Sequence, residues 1–148
     1  MDITKANSLV ELYFEQFKKI NSSNIFLKWL KPNYEMSYTW GEVTEKIYKL
    51  SSVLEKFIAQ GDRCLILSEN RPEWLISDLA IMNSGGISVP IFTTYSENDY
   101  DYIINDCNPS VIIVSNNEQL KKIKKFINKN VKKIISFETV NIESINFQ

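Results

Sequence analysis

Between residues 63 and 137 the chain alternates short, unbroken apolar runs with amphipathic stretches, and this alternation limits the possible folds more than any other feature. The runs are Cys64-Leu65-Ile66-Leu67, residues 87–92, Val111-Ile112-Ile113-Val114 and residues 133–137. A strand that is apolar at every position is covered on both faces, as in a parallel sheet. The stretches between the runs have helical spacing. Leu75, Ile76, Leu79, Ala80 and Met82 follow Pro72, a good first-turn residue. Tyr100, Ile103 and Ile104 follow the capping box Ser96-Glu97-Asn98-Asp99 and stop at Asn108-Pro109. Leu120, Ile123 and Ile127 make the last apolar face. Strands joined by helices through short connections imply right-handed crossovers, so residues 63–137 are predicted to form a βαβαβαβ unit. The predicted class is α/β, a parallel sheet with flanking helices.

The first 60 residues read as a lead-in of helices and a short β-hairpin. Leu9, Leu12, Tyr13, Phe17 and Ile20 share one helical face over residues 8–20, with Ser8 as N-cap. Asn21-Ser22-Ser23-Asn24 breaks that helix. A strand over 25–30, the turn Lys31-Pro32-Asn33 and a partner at 36–38 complete a predicted hairpin. Thr39 and Glu42 form a second capping box. The helix it opens carries Val43, Ile47, Leu50, Leu54, Phe57 and Ile58 and is predicted to run to Gln60 and stop at Gly61. The organisation expected is a lead-in over 1–60, an α/β unit over 61–137, and a weakly patterned tail over 138–148. At 148 residues this is the size of one modest domain.

Composition removes several function classes. There is no histidine, so Ser-His-Asp and Cys-His catalysis and histidine metal sites are absent from the sequence. No catalytic and no metal-ligating residue is assigned. Seventeen basic against 18 acidic residues give a net charge of −1, unlike a dedicated nucleic-acid binder. Cys64 and Cys107 are expected to be reduced, buried thiols. No run reaches the roughly 18 apolar residues that span a bilayer. Residues 1–7 lack the basic start and apolar run of a secretory signal, so a cytoplasmic location is expected.

Chemistry-bearing patterns are sparse. The four glycines, Gly41, Gly61, Gly85 and Gly86, fit no dinucleotide fingerprint or P-loop. Gly85-Gly86 follows a helix and reads as its C-terminal turn. Ser68 follows a strand but has no general base. Asp99, Asp101 and Asp106 read as solvated surface, and Tyr13, Phe14 and Phe17 as core. One cluster is less ordinary: Lys121, Lys122, Lys124, Lys125, Lys129, Lys132 and Lys133 lie together with no acid among them. It reads either as the wet face of an amphipathic helix or as an attractor for a phosphate or an acidic membrane surface.

Several segments together resemble the N-terminal part of the adenylate-forming (AMP-binding) superfamily, and within it the long-chain-fatty-acid–CoA ligases. Tyr38-Thr39-Trp40-Gly41-Glu42-Val43 is similar to the family's first core motif. Gly61-Asp62-Arg63 runs through Ser68-Glu69-Asn70-Arg71-Pro72-Glu73-Trp74, then Asp78-Leu79-Ala80-Ile81. Gly85-Gly86-Ile87-Ser88-Val89-Pro90-Ile91-Phe92, Thr93-Thr94-Tyr95-Ser96 and Tyr102-Ile103-Ile104-Asn105-Asp106 follow. Asn-Arg-Pro-Glu-Trp favours the fatty-acid branch.

The resemblance implies a piece of a longer enzyme that makes an acyl-AMP from a fatty acid and ATP with Mg2+, then passes the acyl group to CoA. The Ser/Thr/Gly-rich phosphate loop and the later catalytic lysine motif do not occur here, so the chain alone is expected to be inactive and to bind no cofactor tightly. The implied partners are fatty acid, ATP, CoA and the remainder of the ligase, with peripheral membrane contact and self-association as further expectations and no nucleic acid. By resemblance to the acetate-activating branch, the nucleotide end of CoA would meet the turn Phe92-Thr93-Thr94 and basic residues near Lys121, Lys122 or Lys125. That branch has Phe-Gly-Gly at the turn. A stand-alone, non-catalytic binding module built on the same fold is the alternative.

Overall fold

A computed structural model describes residues 6–139. Helix α1 (Leu9–Phe17) leads into a hairpin of β1 (Ile25–Lys31) and β2 (Tyr34–Thr39), closed by the two-residue turn Pro32-Asn33 with Lys31 opposite Tyr34. Helix α2 (Trp40–Leu54) follows directly. The alternating unit is β3 (Arg63–Leu67), α3 (Pro72–Asn83), β4 (Ile87–Ile91), α4 (Glu97–Cys107), β5 (Val111–Val114), α5 (Asn117–Ile123) and β6 (Lys133–Ser136). Its four strands are all parallel, in the order β4-β3-β5-β6. The predicted class and element order hold.

The order explains the two-sided core. The chain steps from β3 outward to β4, then returns across β3 to β5 and on to β6. Right-handed crossovers in opposite directions put their helices on opposite faces. Alternate residues of β3 and β5 therefore enter different clusters. Cys64, Ile66, Val111 and Ile113 pack with Tyr13, Val43, Ile47, Leu54 and the α3 residues Ile76, Leu79, Ala80 and Ile81. Leu65, Leu67, Ile112 and Val114 pack with Tyr100 and Ile104 of α4 and Leu120 and Ile123 of α5. All eight strand residues are 0% exposed, and each large aliphatic side chain so buried contributes about 1.5–3 kcal/mol.

Local signals set the helix ends. Both capping boxes form: Thr39 Oγ1 accepts from Glu42 N–H while the Glu42 carboxylate accepts from Thr39 N–H, and Ser96 and Asp99 do the same. Helix α3 closes in a Schellman turn, with Gly86 N–H donating to the Ile81 carbonyl (3.0 Å) and Gly85 N–H to that of Met82 (3.1 Å). Gly85 is left-handed at φ +78°. A Cβ on Gly86 would stand 3.0 Å from Ile58 Cδ1, so this turn packs against the segment after α2.

Three helices end earlier than the spacing predicts. Helix α2 stops at Leu54 rather than Gln60. Phe57 and Ile58 both donate N–H to the Leu54 carbonyl, and the Asp62 carboxylate takes Ala59 N–H at 3.1 Å. That side-chain acceptor offers the backbone an alternative to another helical turn. Gly61 is left-handed, but it shapes the entry to β3, donating N–H to the Gly85 carbonyl at 2.8 Å. Helix α1 ends at Phe17 rather than Ile20. Helix α5 ends at Ile123 and tightens into a 3-10 turn, Lys124–Phe126, so Ile127 is buried from outside the helix. The tail beyond residue 139 lies outside the described residues.

The edge strand β4 carries Pro90 opposite Ile66. Ile87 N–H donates to the Asp62 carbonyl across the pair. In a parallel ladder Ile87, Val89 and Ile91 then bond inward, and Ser88 and Pro90 turn their nitrogens to the open edge. Proline is tolerated there because no ladder donor is lost.

Candidate functional site

Open parallel sheets present their strand-exit loops at the carboxyl edge, and ligands enter where successive connections diverge. Here that edge gathers the exits of β3, β4 and β5. The β4 exit is the turn Phe92-Thr93-Thr94. Phe92 is 70% exposed and meets the Tyr95 ring edge-on at 5.3 Å between centroids. Two side chains from below hold its main chain. Tyr100, buried on α4, donates its hydroxyl to the Phe92 carbonyl at 3.0 Å. Lys122, on α5, donates its ammonium to the Thr93 carbonyl at 2.9 Å. Lys122 also stands 3.6 Å from the Glu118 carboxylate. Burial pushes the Tyr100 hydroxyl pKa up, which keeps it a donor.

The turn and Lys122, 29 residues apart in sequence, are thus brought together. The cluster's lysines are not equivalent. Lys122 is half-buried and engaged with the turn; Lys125 pairs with Glu97 at the start of α4; Lys121 is exposed on α5. Lys132 and Lys133 do not join them. Lys132 reaches Asp62 at 3.4 Å and Lys133 lies over the Phe57 ring at 5.5 Å, both at the opposite end of the sheet. The sequence cluster therefore divides: Lys122 reaches the turn, while Lys132 and Lys133 lie at the far end of the sheet.

The β3 and β5 exits adjoin where the chain direction switches. Ser115 N–H donates to the Leu67 carbonyl at 3.1 Å, and Gln119 Nε2 donates to Glu69 Oε1 at 2.6 Å. Partial burial pushes the Glu69 carboxyl up, but the Gln119 amide and the Arg71 charge help to outweigh it and leave the pKa below the usual range. Ser68, read as a strand-end hydroxyl without a base, turns back to the Glu69 carbonyl at 2.8 Å.

Arg71 ties three distant segments. Its Nε meets Glu73 Oε2 at 2.9 Å and one terminal nitrogen meets Glu138 Oε1 at 2.8 Å. The guanidinium lies 5.0 Å from the Trp29 ring and 5.4 Å from that of Phe137. Beside it is a groove of about 230 Å³ lined by Leu27, Trp29, Asn70, Pro72 and Leu75. Among the described residues no group of three or more Cys, Asp or Glu side chains stands close enough to hold a metal.

Sequence reasoning missed Tyr100 as part of the site, because its place on the apolar face of α4 marks it only as core. It also missed the Glu69–Gln119 link. No spacing rule joins residues 50 apart; the strand order alone brings them together.

The model of one protein family, described as AMP-binding enzyme, matches residues 15–146. The chain belongs to this family. Relatives include fatty acyl-CoA synthetase A of Dictyostelium discoideum, 33% identical over 95 residues, covering 64% of this chain and 12% of the relative. The long-chain-fatty-acid–CoA ligase ACSBG2 of Xenopus laevis is 32% identical over 96 residues, 65% of this chain and 12% of that protein. ACSBG1 of Homo sapiens is 34% identical over 98 residues, 66% and 13% respectively. The match thus spans about an eighth of the length of these relatives.

Solved structures agree on the fold. The fatty acid AMP ligase from Legionella pneumophila superimposes with a TM-score of 0.71 at 18% identity, over 89% of this chain and 24% of that one. The anthranilate CoA ligase AuaEII in complex with anthranoyl-AMP gives 0.73 at 24% identity, over 86% and 24%.

Proposed function

We propose that this chain is part of an ATP-dependent long-chain-fatty-acid–CoA ligase. In that enzyme a fatty acid and ATP, with Mg2+, give an acyl-AMP and pyrophosphate, and the thiol of CoA then takes the acyl group. The observation that carries the reading is that curated relatives at 32–34% identity over 95–98 residues are named as fatty-acyl-CoA synthetases and ligases. The chain's own contribution is scaffold together with one substrate contact. The rigid two-sided sheet holds the β4 exit turn against α5, and the nucleotide end of CoA, rich in phosphate, meets Phe92, Thr93 and Thr94 with Lys121 and Lys125 around it. Exposed ammonium groups at a strand-exit edge suit that anion. Adenylation is assigned to segments other than this one, since no glycine-rich phosphate cradle occurs in it. A cytoplasmic location follows the same reading.

The test is Lys121→Glu in a ligase containing this chain. Lys121 is exposed, so its exchange leaves the packing alone. KM for CoA should rise several-fold while KM for ATP stays constant, and the preference for CoA over dephospho-CoA should shrink. Unchanged CoA kinetics would return Lys121 to the role of a solvated helix face.

A further inference from the structure

We draw no further inference here: the strongest candidate, the groove between β1 and the start of α3 walled by Leu27, Trp29, Pro72 and Leu75, has its one guanidinium, Arg71, already paired with Glu73 and Glu138, and nothing in the structure shows what covers it.

Discussion

Tyr13 and Thr44 join α1 to α2 through one hydroxyl pair, 2.9 Å apart and buried. Removing either hydroxyl leaves the other without its partner. Tyr13→Phe keeps the ring, which stacks on Trp40 at 5.3 Å and meets Phe14 and Phe26 edge-on, so the variant isolates the polar term. A buried hydroxyl left unsatisfied costs about 1–3 kcal/mol. Thr44→Val, similar in shape, strands the tyrosine hydroxyl at a comparable cost of about 1–2 kcal/mol. The double variant strands neither group, because replacing both partners by apolar atoms is close to neutral. Urea unfolding of the four proteins should therefore show the double variant near the wild type and a coupling of about 1–2 kcal/mol. In thermal terms each kcal/mol is about 2–4 °C of Tm for a chain this size. Additivity within about 0.5 kcal/mol would refute the reasoning. So would a Tyr13→Phe cost near zero, since Thr44 would then be satisfied by the main chain of its own helix.

Fatty-acid-dependent exchange of labelled pyrophosphate into ATP should be absent for this chain and present for a ligase that contains it; exchange by the purified chain at an ordinary ligase rate would sink the assignment of adenylation to other segments. The Asp62 carboxyl is held below its usual pKa, first by the Ala59 N–H and then by the Ser110 hydroxyl, partly opposed by burial, with Lys132 adding to it. A depressed folded pKa means stability present above the unfolded value, near pH 4, and lost as pH falls through the folded one. Asp62→Asn should be less stable at neutral pH and show a shallower acid limb in unfolding followed from pH 6 to 2; an unchanged acid limb would remove Asp62 from the account.

The alternating unit was legible because each of its signals is local. The apolar runs at 64–67 and 111–114 are the two central strands, and the capping residues Thr39, Ser96 and Ser8 stand where the helices begin. Helix ends were less legible where a tertiary contact outbids periodicity. Phe57 and Ile58 continue the α2 spacing, yet Asp62 and the packed Gly86 turn the chain first. The candidate site was legible only as a set of candidates. Phe92, Thr93, Thr94 and the lysines could be named through the family resemblance alone. That Lys122 reaches the turn while Lys132 and Lys133 sit at the far end follows from a strand order that no local pattern encodes.

Pro90 gives the sheet a direction of growth. On the β4 side the outward-facing nitrogens are those of Ser88 and Pro90, and only the first carries a hydrogen. A strand arriving there would find half the donors it needs, so neither a neighbouring molecule nor a slipped segment gains much by pairing. The β6 side has no such block. A ribosome delivers β3, β4 and β5 before β6, and the blunted edge is laid down early while the receptive one comes last. Strands added by a longer polypeptide can then extend the sheet in the order of synthesis without displacing a pair already formed.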